Sequence, residues 1–129
     1  MEATVQEQKN VYELTQERLR VIFNEFDNIY VSFSGGKDSG VLLNLCIDYI
    51  RRNNLKRKIG VFHMDYEVQY KMTIDFVDSI LEKNKDLLDV YRICLPFRVA
   101  TSTSMYQSFW RPWDEAVSYT HLTLPTNRE

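Results

Sequence analysis

"NIYVSFSGGKDSG" (residues 28–40) joins an apolar, β-branched and aromatic run to two adjacent glycines, a lysine, an acid and two serines. Its first half, NIYVSF (residues 28–33), predicts a short buried strand. Beyond the glycines, Val41, Leu42, Leu45, Cys46, Tyr49 and Ile50 recur at helical spacing, and Arg51 and Arg52 fall in the last turn, where cations interact favourably with the helix dipole. The polar stretch is therefore a turn between the carboxyl end of a strand and the amino end of a helix. In an open parallel sheet that crevice takes ligands, and the helix terminus presents unpaired N–H groups and a positive dipole end to an anion.

The flanks repeat the alternation. Upstream, Leu19, Ile22, Phe23 and Phe26 mark an amphipathic helix over residues 11–26. Downstream, KIGVFHMD (residues 58–65) reads as a second strand, and Met72, Phe76, Val77, Ile80 and Leu81 as a further helix. DVYRICLPF (residues 89–97) reads as a third strand. Helix, then strand–helix–strand–helix–strand, predicts an α/β fold with a parallel sheet and helices on both faces.

Composition narrows the classes. The 129 residues are 44% hydrophobic, enough for one small domain with a core, and a formal net charge of -2 provides no global basic field for nucleic acid or membrane. No apolar leader precedes residue 11, and no run approaches the roughly 18 apolar residues of a spanning helix, so a cytoplasmic protein is expected. Cys46 and Cys94 lie far apart without C-x-x-C spacing and read as reduced core thiols.

Residues 116–129 change character. VSYTHLTLPT (residues 117–126) has no usable period, and its back-translation resembles the reverse complement of a transposase-based sequencing adapter. The expected organisation is residues 1–115 as the N-terminal part of a longer domain, truncated after about three strands, with 116–129 an artefact tail.

Within the turn, Gly35 and Gly36 accept positive φ and let the backbone close around phosphate oxygens. Lys37 adds a mobile cation, and Ser34 and Ser39 supply hydroxyls. Asp38 repels a polyphosphate unless Mg²⁺ intervenes or the acid caps the helix; capping with metal support is expected. Asp65, at the end of the second strand, is equally a nucleotide or metal contact or the N-cap of a helix starting near Glu67. His63 shares its side of the strand and reads as a packed core histidine. RRNNLKRK (residues 51–58) lies at the opposite end of the sheet and reads as a solvated helix end rather than a nucleic-acid contact. Tyr106, Phe109, Trp110 and Trp113 read as packing residues, with part of the cluster near the substrate mouth.

The spacing is neither G-x-x-x-x-G-K-[ST] nor G-x-G-x-x-G. SGGKDS (residues 34–39) resembles the PP-loop of the adenine-nucleotide alpha-hydrolase superfamily. The longer stretches VYELTQERLRVIFNEFDNIYVSFSGGKDSG, KIGVFHMDYEVQY and TSMYQSFWRPWDE resemble bacterial phosphoadenosine phosphosulfate (PAPS) reductase-like proteins of the immunoglobulin-binding regulator type. That resemblance implies a Rossmann-like fold of strand order 3-2-1-4-5 and a loop holding ATP or PAPS through Ser34, Gly35, Gly36, Lys37, Asp38 and Ser39. Asp65 would lie near the adenosine, Lys37 would be the catalytic cation, and Mg²⁺ would accompany the nucleotide. It implies adenylyl transfer with pyrophosphate release in the full-length parent, this fragment being a poor catalyst alone. Its alternatives are a nucleotide-sensing module acting with a ParB-like partner, PAPS or APS reduction through a cysteine near the C-terminus, and tRNA thiolation.

Overall fold

The computed structural model describes residues 8–101 and 105–114. Asn10 opens α1 (Val11–Glu25) with a capping box: its side chain accepts the Glu13 N–H at 2.9 Å, and the Glu13 carboxylate accepts the Asn10 N–H at 2.9 Å. One face of α1 buries Leu19 and Phe23, and the Phe23 ring stacks on Tyr49 of the next helix at 4.9 Å. The last turn of α1 contains no basic residue. Arg57 supplies that charge from about thirty residues away, donating to the carbonyls of Phe23 (3.0 Å), Phe26 (2.9 Å) and Asp27 (2.6 Å).

Arg57→Ala removes a cation and three donated hydrogen bonds from the end of α1. It is expected to lower stability by about 1–3 kcal/mol, since water replaces the donors only partly. Arg57→Lys keeps the charge without the planar fork and should recover part of the loss. Urea denaturation of both variants checks this, and a wild-type midpoint for Arg57→Ala would contradict it.

The remaining order is β1 (Tyr30–Ser32), α2 (Lys37–Arg52), β2 (Ile59–Met64), α3 (Lys71–Lys83), β3 (Leu88–Ile93), β4 (Val99–Ala100) and β5 (Phe109–Trp110). The three longer strands form a parallel sheet of order β1-β2-β3, with Val31 opposite Val61 and Val61 opposite Val90. The expected α/β class, a parallel sheet flanked by helices, is the one observed. Among the described residues the buried side chains of all three helices join the core on one face of the sheet rather than covering both. No described strand pairs with the outer side of β1. The paired β4 and β5 form a separate antiparallel ribbon that the hydrophobic pattern did not predict, because two-residue strands have no measurable period.

Alternation along the strands divides the sheet into two faces. Val31, Phe33, Ile59, Val61 and Leu88 point into a core completed by Leu43, Cys46, Ile47 and Ile50 of α2 and Val77 and Leu81 of α3. Tyr30, Phe62 and Tyr91 point the other way and are exposed among the described residues. Tyr30 and Tyr91 are ring neighbours at 5.8 Å, and the hydrogen bond between their hydroxyls favours the protonated form of Tyr91 and pushes its pKa up.

Arg51 reaches Asn84 and Asp86, Arg52 pairs with Asp48 at 2.8 Å, and Lys58 pairs with Asp89. With Arg57 on α1, the basic segment 51–58 serves the chain's own acceptors. Cys46 is buried, and burial pushes its thiol pKa up, whereas Cys94 is exposed and corrects its reading as a core thiol. Cys94 immediately follows β3, where the chain leaves the sheet. Under native conditions a disulfide reagent should therefore modify Cys94 promptly and Cys46 only on unfolding. Equal rates for the two thiols would contradict that placement. Residues 116–129 lie outside the described residues.

Candidate functional site

Parallel pairing brings the carboxyl ends of all three strands to one edge, and the SGGKDS turn leaves that edge from β1. Phe33 extends the ladder through its N–H to the Phe62 carbonyl at 2.8 Å, so the turn springs from an anchored residue. Its interior is tied by hydroxyls. Ser39 Oγ accepts the Ser34 N–H at 3.3 Å, lies 3.0 Å from Ser34 Oγ and donates to the Gly36 carbonyl at 3.2 Å. Ser34 Oγ accepts the Gly36 N–H at 3.2 Å. Both serines are thus used to shape the loop.

Gly35 has φ +86, in the left-handed region. A Cβ there would lie 2.7 Å from Val77 Cγ2 and 2.9 Å from Thr73 Cγ2, so the turn lies directly against α3. Gly36 is the N-cap of α2, with no side-chain cap. The expected capping by Asp38 is therefore corrected: Asp38 follows Lys37 inside the first turn, past the position from which a side chain caps. Its exposed carboxylate instead counters the dipole end. Lys37 is also exposed, at the same helix start.

Asp65 lies at the end of β2, as predicted, and is buried. Its N–H donates to the Ile93 carbonyl at 2.9 Å, and its Oδ1 accepts the Glu67 N–H at 2.8 Å. This corrects the helix-cap alternative, because α3 begins only at Lys71 behind Tyr70. The carboxylate closes an Asx turn. His63 is buried as expected and donates Nδ1–H to the Phe33 carbonyl at 2.7 Å, binding the base of the SGGKDS turn to β2.

A cleft of about 660 Å³ begins at Gly35, Gly36 and Lys37 and continues past Val41 and Asn44 of α2, with Phe76 of α3 also lining it. Asp65 does not line this cleft. Residues 34–36 form the turn and residues 37–39 the first turn of α2, and Asp65 stands separately on the neighbouring strand end. Among the described residues, no three His, Cys, Asp or Glu side chains converge to hold a metal. A magnesium ion carried on nucleotide phosphates needs as little as one protein carboxylate, and Asp38 is the carboxylate of the loop itself.

Sequence reasoning missed the partners of Asp65. Trp113 donates its indole Nε1–H to the Asp65 carbonyl at 2.7 Å and its backbone N–H to Glu67 Oε2 at 2.8 Å. Of the four aromatics singled out, Trp113 reaches the strand edge, whereas Phe109 lies under the Arg98 guanidinium, 3.6 Å from its centroid. No local pattern signals a bond spanning some 46 residues.

A strand, a glycine-serine turn and a helix in a parallel sheet define an α/β domain with a candidate ligand turn at the carboxyl ends of its strands. Residues 28–123 match the phosphoadenosine phosphosulfate reductase domain, and the chain belongs to that nucleotide-binding family. It is also 36% identical over 111 residues to YbdN, an uncharacterized protein of Escherichia coli strain K12. The aligned part is 85% of this chain and 27% of YbdN, so the chain spans about a quarter of that relative's length. Among the described residues, no helix is long and apolar enough to cross a membrane.

Proposed function

We propose that the chain binds the polyphosphate end of ATP or a sulfonucleotide such as PAPS in residues 34–39, and that the full-length parent cleaves ATP at the α-phosphate. The observation that supports this most is the combination of left-handed Gly35 with an α2 terminus that has no side-chain cap. Together they leave helix N–H groups facing the turn, the donor arrangement that a phosphate requires. In the reaction, an acceptor nucleophile forms a bond to the α-phosphorus and the bond to the bridging oxygen breaks. The products are an adenylylated acceptor and pyrophosphate. Lys37 and the loop N–H groups would bind the charge that develops on pyrophosphate, while Ser34 and Ser39 hold the loop in shape. Bound magnesium would share that charge, with Asp38 as its protein ligand.

Asp65 would meet the nucleoside end, where an acid at the tip of a neighbouring strand accepts from ribose hydroxyls. The comparisons lend no support to a ParB-like partner. Calorimetric titration of the chain with ATP and PAPS, followed by a pyrophosphate-release assay on the full-length parent, tests the proposal. Saturable binding together with release is expected. Affinity without release would leave a nucleotide sensor, and no affinity for either nucleotide would overturn the reading.

A further inference from the structure

We infer that Trp113 is a positioning residue for the nucleoside end of the site, acting through the loop after β2; this rests on the nucleotide reading above. The six residues between β2 and α3 contain Glu67 at φ +67, and Trp113 itself sits at φ +54. Left-handed backbone costs a non-glycine residue roughly 1–2 kcal/mol and persists only where surrounding contacts over-determine it. Those contacts are reciprocal here. Asp65 Oδ1 draws in the Glu67 N–H at 2.8 Å, Glu67 Oε2 accepts the Trp113 N–H at 2.8 Å, and the Trp113 indole returns to the Asp65 carbonyl at 2.7 Å. Pro112, immediately before the tryptophan, is fully buried and fixes the approach of the segment.

The same loop is registered to the phosphate loop from below. Asp65 is held to β3 through the Ile93 carbonyl, and His63, two residues earlier, is held to the Phe33 carbonyl that adjoins Ser34. Residues 63–65 therefore form a rigid link, with the phosphate loop on one side and the Trp113 closure on the other. Losing the indole donor removes the tie from Trp113 to the Asp65 carbonyl and loosens the turn from Asp65 to Glu67 without touching residues 34–39. The nucleoside part of a ligand should feel this loss, and its phosphates should not.

Titrations of the full chain with ATP and with inorganic pyrophosphate separate the two ends. Trp113→Phe keeps an aromatic ring but removes the indole donor. It is expected to weaken ATP binding ten-fold or more and to leave pyrophosphate affinity within two-fold. Glu67→Ala, which removes the acceptor for the Trp113 N–H, should reproduce that split, and Glu67→Gln, which retains an amide acceptor, should restore it. If Trp113→Phe fails to fold, as read by circular dichroism, the Glu67 pair alone provides the contrast. Parallel weakening of both ligands, or no change in either, overturns the inference while leaving the nucleotide reading intact. Glu67→Gln behaving like Glu67→Ala also overturns it, because the charge rather than the closure would then matter. A wild-type chain that binds neither ligand removes the nucleotide reading and this inference together.

Discussion

Gly35→Ala is expected to destabilise the chain by about 2–5 kcal/mol and to abolish phosphate binding in the same variant. Two costs add. The left-handed backbone at φ +86 penalises any Cβ by roughly 1–2 kcal/mol. The new methyl would also stand 2.7 Å from Val77 Cγ2 and 2.9 Å from Thr73 Cγ2, and overpacking of this kind costs about 1–3 kcal/mol. Val77 is 1% exposed and packed in the core, so it has no room to retreat. Relief therefore requires the loop to lift away from α3, which rotates the N–H groups of the turn off the phosphate position. Gly60 provides the internal control. A Cβ there would meet the Tyr30 ring at 2.1 Å, a closer approach, yet Tyr30 is 60% exposed and its ring can swing into solvent. Gly60→Ala should thus cost less than Gly35→Ala and leave pyrophosphate affinity unchanged. Urea midpoints and pyrophosphate titrations of the two variants check the ranking, and the reverse order would contradict it.

Lys37→Ala should weaken ATP binding about 10- to 100-fold with no loss of stability beyond about 0.5 kcal/mol. The lysine is exposed at the first position of α2, so its removal leaves no cavity and no buried partner. Its expected contribution is one charge-assisted bond to phosphate, worth about 1.5–3 kcal/mol, which converts to that range of affinity. Lys37→Arg preserves the charge and should retain most of the binding. Because the site is open, added salt should also weaken wild-type binding, and the salt dependence should be shallower in Lys37→Ala. Unchanged ATP affinity in Lys37→Ala would show that the lysine is a solvated surface residue.

The contrast between these two glycines also marks where sequence reading reaches its limit. Both were visible as residues of a turn and a strand, but only the neighbouring α3 and the Tyr30 ring decide which of them tolerates a methyl group. The same applies to Asp38 and Asp65. Each was placed on the correct element, yet capping depends on a single residue's offset from the helix start. That offset fell on Gly36 for α2 and on Tyr70 for α3.

By itself the sequence determined the strand–turn–helix arrangement around residues 28–40, the order of the three longer strands along the chain and the contiguity of Ser34, Gly35, Gly36, Lys37, Asp38 and Ser39. Those features are local: hydrophobic period and turn chemistry act over a few residues and are written in consecutive positions. Tertiary structure alone decided that Arg57 closes α1, that His63 holds the SGGKDS turn to β2, and that Trp113 fastens the loop carrying Asp65 and Glu67. Each of those contacts joins residues about 30 to 48 positions apart. Their partners are selected by how strands and helices stack, and pairings over such separations leave no periodic trace in a single chain.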